Sequence, residues 1–192
     1  MSEALRGPLT GVPVVLDPVM VATSGDSLAA EGVREAIVEL LAHCSLVTPN
    51  LPEAAGLTGE EPASDRGAMA RQAQALLGLG APAVLLKGGH LGDDGDQVWD
   101  LVARRGPDTS QGPRLDWLDG PRVRTRNTHG TGCTLSSAVA ANLAHGLDLV
   151  EACRRAKEWL ARALASSEQL SVGDGSGHGP VNHLEASWVT LR

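Results

Sequence analysis

A chain of 192 residues with 42% hydrophobic side chains can bury a real core in one domain and is too apolar to be disordered. It holds no Phe and no Tyr, so Ala, Leu, Val and four Trp must fill that core. A net charge of −7 argues against nucleic acid or an anionic membrane as the main partner, yet leaves room for a phosphate site built locally from backbone amides.

No apolar run approaches the ~18 residues of a membrane span, and the start, MSEALRGPLTG, lacks the basic-then-apolar order of a signal peptide. Cys44, Cys133 and Cys153 are an odd set without metal-ligand spacing and read as free thiols in a reducing compartment. The expectation is a soluble cytoplasmic protein, one domain over residues 1–192. Its alternation of apolar runs and helix-period segments predicts an α/β fold around a parallel sheet.

In chain order, VPVVL (12–16) predicts a strand that ends in Asp17-Pro18. Val33, Ile37, Leu40, Leu41 and Cys44 follow at helical spacing. A second apolar step, Ser45-Leu46-Val47, ends in Thr48-Pro49-Asn50, and a short helix begins at Leu51. A longer helix is predicted near Asp65 to Leu79, with Ser64 as its cap and Gly78, Gly80 and Pro82 to stop it. Ala83 to Leu86 is a third buried strand, ending in Lys87-Gly88-Gly89-His90. GDQVWDLVARRG and PRLDWLDGPRVRT then predict antiparallel strands, with Asp119-Gly120 as a hairpin signal and residues 106–113 as a loop. NTHGTGCTLSSAVAANLAHG is a glycine-rich turn entering a helix of small residues. A last helix runs from about Asp148 to Glu168, and the glycine-rich tail GDGSGHGPVNH needs something to pack on.

The carboxyl ends of parallel strands share one rim, where ligands bind. Asp17, Thr48, Asn50 and Lys87 all follow predicted strands, so an acid, an amide and a lysine would meet there as a nucleotide and metal site. Polar residues follow strands in any loop, so each alone proves little. Gly130 and Gly132 let successive amides of residues 130–133 point into one anion-binding concavity at a helix start. The plainer alternative is a glycine turn with Thr131 as helix cap. The spacing does not match a P-loop, which needs a Lys-Ser/Thr pair after its second glycine.

Cys133 opens that helix, where terminal amides lower a thiol pKa from about 8.5 and would favour a proton-accepting thiolate, while nearby phosphate would oppose them. Cys44 and Cys153 lie on apolar helix faces. Asn50 and Glu53 are either a capping box or two groups holding Mg²⁺ through water, and the two are not exclusive. His43, His145 and His183 show no partner spacing and read as surface or structural residues.

The segments LDPVMVATSGDSL, LVTPNLPEA, VLLKGGHL, NTHGTGCTLSSAVAA and GHGPVNH resemble the hydroxymethylpyrimidine/phosphomethylpyrimidine kinases, a branch of the ribokinase superfamily related to pyridoxal kinases. The resemblance implies a ribokinase-like three-layer sandwich, mostly parallel, with its first strands missing. The chain would be the C-terminal portion, about two-thirds of a family-length chain. It implies ATP-dependent phosphorylation of 4-amino-5-hydroxymethyl-2-methylpyrimidine and its monophosphate, with Mg²⁺ and no nucleic-acid or membrane partner, and it is compatible with a homodimer. Carried over, Cys133 is the base and Gly130, Thr131, Gly132 and Cys133 form the anion hole. Lys87, Asn50 and Thr48 would serve ATP, Asp17 and Glu53 the metal, and Val19 with Met20 the pyrimidine. Missing first strands would leave an apolar sheet edge near residues 14–17. Pyridoxal kinase and a non-catalytic nucleotide-binding remnant or gene fragment are the alternative expectations.

Overall fold

The computed structural model describes residues 11–20, 32–89, 91, 95–106, 112–170 and 177–185. Five strands form one sheet in sequence order: β1 (Val15–Leu16), β2 (Leu46–Val47), β3 (Ala83–Lys87), β4 (Gln97–Arg104) and β5 (Arg114–Pro121). The first three pair in parallel, and β3–β4–β5 continue as antiparallel neighbours. Between and after them lie α1 (Val33–Leu41), α2 (Leu51–Thr58), α3 (Arg66–Gly78), α4 (Thr131–Ala144) and α5 (Leu149–Ala165), the last running into a 3-10 turn at Ser166–Gln169.

The period of two along each strand divides the core into two layers. Val47, Val84, Leu86, Leu101 and Ala103 face one way and pack with Leu41, Leu57, Met69 and Leu76 of α1, α2 and α3. Their neighbours Leu46, Ala83, Leu85 and Val102 face the other way, onto Leu135, Val139, Ala156 and Leu160 of α4 and α5. Helices therefore cover both faces of a three-layer α/β fold, as expected. Small residues make it work without Phe or Tyr, because Ala73, Ala152, Ala156 and Ala163 let the helices approach closely.

Two local expectations are corrected. The cap of α3 is Asp65, whose side chain accepts from the Ala68 amide, not Ser64. Asp119-Gly120 is no hairpin turn: Gly120 lies inside β5 opposite Val98, and a Cβ there would stand 3.1 Å from Cε of Lys157. The glycine makes room for a lysine stem, and the β4–β5 connection falls beyond the Arg104–Arg114 pair instead. The final helix runs as expected from an Asp148 cap, α-helical over Leu149–Ala165 and 3-10 over Ser166–Gln169.

Among the described residues strand β1 forms one edge of the sheet, with Val15 and Leu16 half-buried, at the place where the resemblance puts an apolar edge. Among the described residues no helix is long and apolar enough to cross a membrane. His90, residues 107–111 of the predicted loop, residues 21–28 of the LDPVMVATSGDSL segment and residues 173–176 of the tail lie outside the described residues.

Candidate active site

The parallel strands deliver their carboxyl ends to one rim. Lys87, the last residue of β3, donates from Nζ to Oδ1 of Asp17 at 3.3 Å, and its Nζ stands 3.9 Å from Oε2 of Glu53. Thr48, fully buried after β2, places its hydroxyl 3.2 Å from the same Asp17 oxygen and 2.8 Å from the Ser136 hydroxyl on α4. Ser136 in turn donates to the Gly132 carbonyl at 3.0 Å. Buried hydroxyls thus tie the sheet rim to the first turn of α4.

That turn faces the rim. Gly130 is the N-cap of α4, with φ +80 in the left-handed region, and as a glycine it supplies no side-chain cap. The expectation of Thr131 as cap is corrected: its hydroxyl donates back to the Thr128 carbonyl at 2.7 Å. A Cβ on Gly132 would stand 3.2 Å from Nζ of Lys87 and 3.9 Å from Oδ2 of Asp17. The Thr131 amide donates to the Thr128 carbonyl at 3.3 Å, and the Gly132 backbone, an ammonium and a carboxylate share one small space. Oδ2 of Asp17 is buried there without a hydrogen-bond partner among the described residues.

Cys133 is exposed beside this space. Helix amides alone would lower its pKa, but the thiol is pushed up, first by partial burial and then by the charge of Asp17, with Lys87 opposing weakly. The sequence shows the helix start and not the acid brought beside it. Cys44 and Cys153 are buried as expected, and desolvation raises them to about 11 and about 12.

Asn50 and Glu53 form the capping box. Oδ1 of Asn50 accepts from the Glu53 amide and Oε2 of Glu53 accepts from the Asn50 amide, both at 2.7 Å. Burial raises the Glu53 pKa against the opposing pull of the Asn50 amide and Lys87. Val19 is 41% exposed near the rim residue Asp17, whereas Met20 is buried in the core over Gly56. Among the described residues, no three His, Cys, Asp or Glu side chains cluster as a metal site.

Sequence reasoning missed His183. Its Nε2 lies 2.9 Å from the Thr134 hydroxyl, and both line a cavity of about 340 Å³ with Cys133, Ser137, Ala138 and Trp159. Its partner is 49 residues away, and only the tail segment GHGPVNH marked it. The tail is held there by a bridge between His129 and Pro180 and by buried Val181.

A three-layer α/β sandwich with a lysine, an acid and an uncapped glycine-led helix at the ends of its parallel strands is of the ribokinase-like class. A solved pyridoxal kinase from Staphylococcus aureus in complex with AMP-PCP superposes with a TM-score of 0.76 at 32% identity, over 92% of this chain and 60% of that one. A phosphomethylpyrimidine kinase from Clostridium difficile 630 gives a TM-score of 0.65 at 30% identity, over 84% and 61%. Residues 2–182 match the family model described as phosphomethylpyrimidine kinase, and the chain belongs to that family. The hydroxymethylpyrimidine/phosphomethylpyrimidine kinase of Rhizobium meliloti is 48% identical over 179 residues, which are 93% of this chain and 63% of the relative. The chain thus spans less than two thirds of the length of that relative.

Proposed function

We propose that this chain carries the phosphate-transfer half of a kinase that moves the γ-phosphoryl group of ATP to the hydroxymethyl of an aminopyrimidine, 4-amino-5-hydroxymethyl-2-methylpyrimidine or its monophosphate, in thiamine biosynthesis. The observation that carries the reading is the approach of Gly132, in the first turn of α4, to Lys87 and Asp17. Family membership supplies the reaction.

In this reading the alcohol oxygen attacks the γ-phosphorus, the bond from that phosphorus to the bridging oxygen breaks, and ADP leaves. Cys133 takes the alcohol proton through the fraction of its raised-pKa thiol that is ionised. Amides of Gly130, Thr131, Gly132 and Cys133 meet the charge that builds on the transferred group, and Lys87 neutralises the ATP phosphates. Thr48 and Asn50 brace this rim through their contacts with Asp17, Ser136 and Glu53.

A divalent cation fits the donor set. Mg²⁺ is held by one or two carboxylates plus phosphates and water, and Asp17 has a buried oxygen to spare. Asp17 and Glu53 would hold it, partly through water. Bound there, Mg²⁺ neutralises charge on the phosphate oxygens. The cavity beside Cys133, walled by Trp159 and His183, suits a planar base with a hydrogen-bonding edge. Val19 would lie against the pyrimidine, with Met20 supporting it from the core. The same reading takes small molecules as partners in the cytoplasm, in keeping with the net charge of −7.

The likeness to the pyridoxal kinase of Staphylococcus aureus favours a second substrate, pyridoxal. A coupled ADP-release assay offering each alcohol separates the two. Higher kcat/KM for the pyrimidine is expected; preference for pyridoxal overturns the substrate, and ADP release with neither overturns the kinase reading.

A further inference from the structure

Lys87 is useful to a nucleotide only if its ammonium is held at the rim. Its own side chain is long and flexible, so the backbone that carries it must be fixed. On one side that backbone is pinned by the Lys87 amide, which donates to the Pro49 carbonyl at 2.9 Å. The next amide, of Gly88, points the other way along the sheet and donates to Oδ1 of Asp100 at 2.9 Å.

Asp100 is the cross-strand partner of Lys87 on β4 and is 6% exposed. Its other oxygen, Oδ2, accepts from Nζ of Lys157 on α5 at 2.7 Å, and Lys157 also donates to the Val98 carbonyl at 3.3 Å. Burying such a pair costs desolvation that apolar side chains of the same volume would avoid, so stability alone is a weak reason for it. Two glycines are spent on the arrangement. A Cβ at Gly88 would stand 2.1 Å from the Trp99 carbonyl oxygen, and one at Gly120 would press on the Lys157 stem. Both keep the carboxylate within reach of the peptide that follows Lys87.

We propose that Asp100, anchored by Lys157, is a positioning residue for Lys87: it clamps the Lys87–Gly88 peptide so that the ammonium stays beside Asp17 and the first turn of α4. The inference rests on the reading of Lys87 as a ligand of the ATP phosphates. It adds a link to the phosphate rim from α5, which packs beside α4 on the same face of the sheet.

The test is a double-mutant cycle on nucleotide affinity, with Asp100→Asn, Lys87→Met and the double variant titrated by calorimetry with Mg-ATP and with AMP. Asp100→Asn is expected to weaken Mg-ATP by about tenfold, as expected for loss of a charge-assisted contact, and to leave AMP unchanged. The double variant is expected to bind Mg-ATP no more weakly than Lys87→Met alone, because the aspartate acts through the lysine. Additive losses, or equal weakening of AMP, would show a purely structural role and overturn the inference. Unchanged Mg-ATP affinity in Lys87→Met would instead remove the kinase reading of that lysine, and the inference with it. Should Asp100→Asn not fold, Gly120→Ala displaces the Lys157 stem while keeping every charge. A loss of about threefold for Mg-ATP alone is expected there, and no loss overturns the proposal.

Discussion

Two helices begin at the same rim and end their backbone accounts differently. Helix α2 is closed: Asn50 and Glu53 exchange side-chain and backbone hydrogen bonds, so its first-turn donors are used internally. Helix α4 is more open: its cap Gly130, in a left-handed conformation, has no side chain to accept from the first turn, although the Thr131 amide donates to the Thr128 carbonyl at 3.3 Å. Unsatisfied donors at a helix start are costly when desolvated and stabilising when an anion arrives. The closed end therefore contributes fold stability, and the open end is left free for a ligand. Lys87 and Asp17 stand between the two, which places the charges where the open end can use them.

Substitutions at the two ends should separate these roles. Cys133→Ala, at the open end, is expected to lower turnover by roughly 10²- to 10⁴-fold in a steady-state assay, the usual worth of a general base, with an unchanged melting temperature. Lys87→Met is expected to weaken Mg-ATP by about tenfold to a hundredfold in a binding titration, since it removes a charged contact to phosphate. Asn50→Ala, at the closed end, should cost about 1 kcal/mol in urea unfolding and change nucleotide affinity less than Lys87→Met does. Similar effects of Asn50→Ala and Lys87→Met on both readouts would erase the distinction. The smallest effect is on reactivity. The Cys133 pKa is raised, so its thiolate grows in as pH increases, and alkylation of the exposed thiol should accelerate steadily across the alkaline range. Cys44 and Cys153, at about 11 and about 12 and buried, should stay unmodified at pH 8 in the folded protein.

The three parallel strands were legible because each is a short apolar run ended by a polar residue, and the rim followed from their direction. The capping box was legible because both partners lie within four residues. What failed depended on neighbours far along the chain. Gly120 looked like a turn because the lysine stem it accommodates comes from α5. His183 looked unpartnered because Thr134 meets it only through the folded tail. The direction of the Cys133 shift stayed open in the sequence because its helix is visible there, while its burial and the approach of Asp17 are not. Choosing Ser64 over Asp65 as a cap was a different failure, since both residue types cap well and one step of register decides.

The grip of the open helix end on a terminal phosphate is tested most directly by comparing Mg-ATP with AMP in the unaltered protein and in Gly132→Ala. The added methyl would stand 3.2 Å from the Lys87 ammonium, inside the space meant for phosphate oxygens. The unaltered protein should bind Mg-ATP at least about tenfold more tightly than AMP, and the variant should lose most of that difference. Equal affinity for the two nucleotides in the unaltered protein, or a preference for ATP that survives the methyl intact, would contradict it.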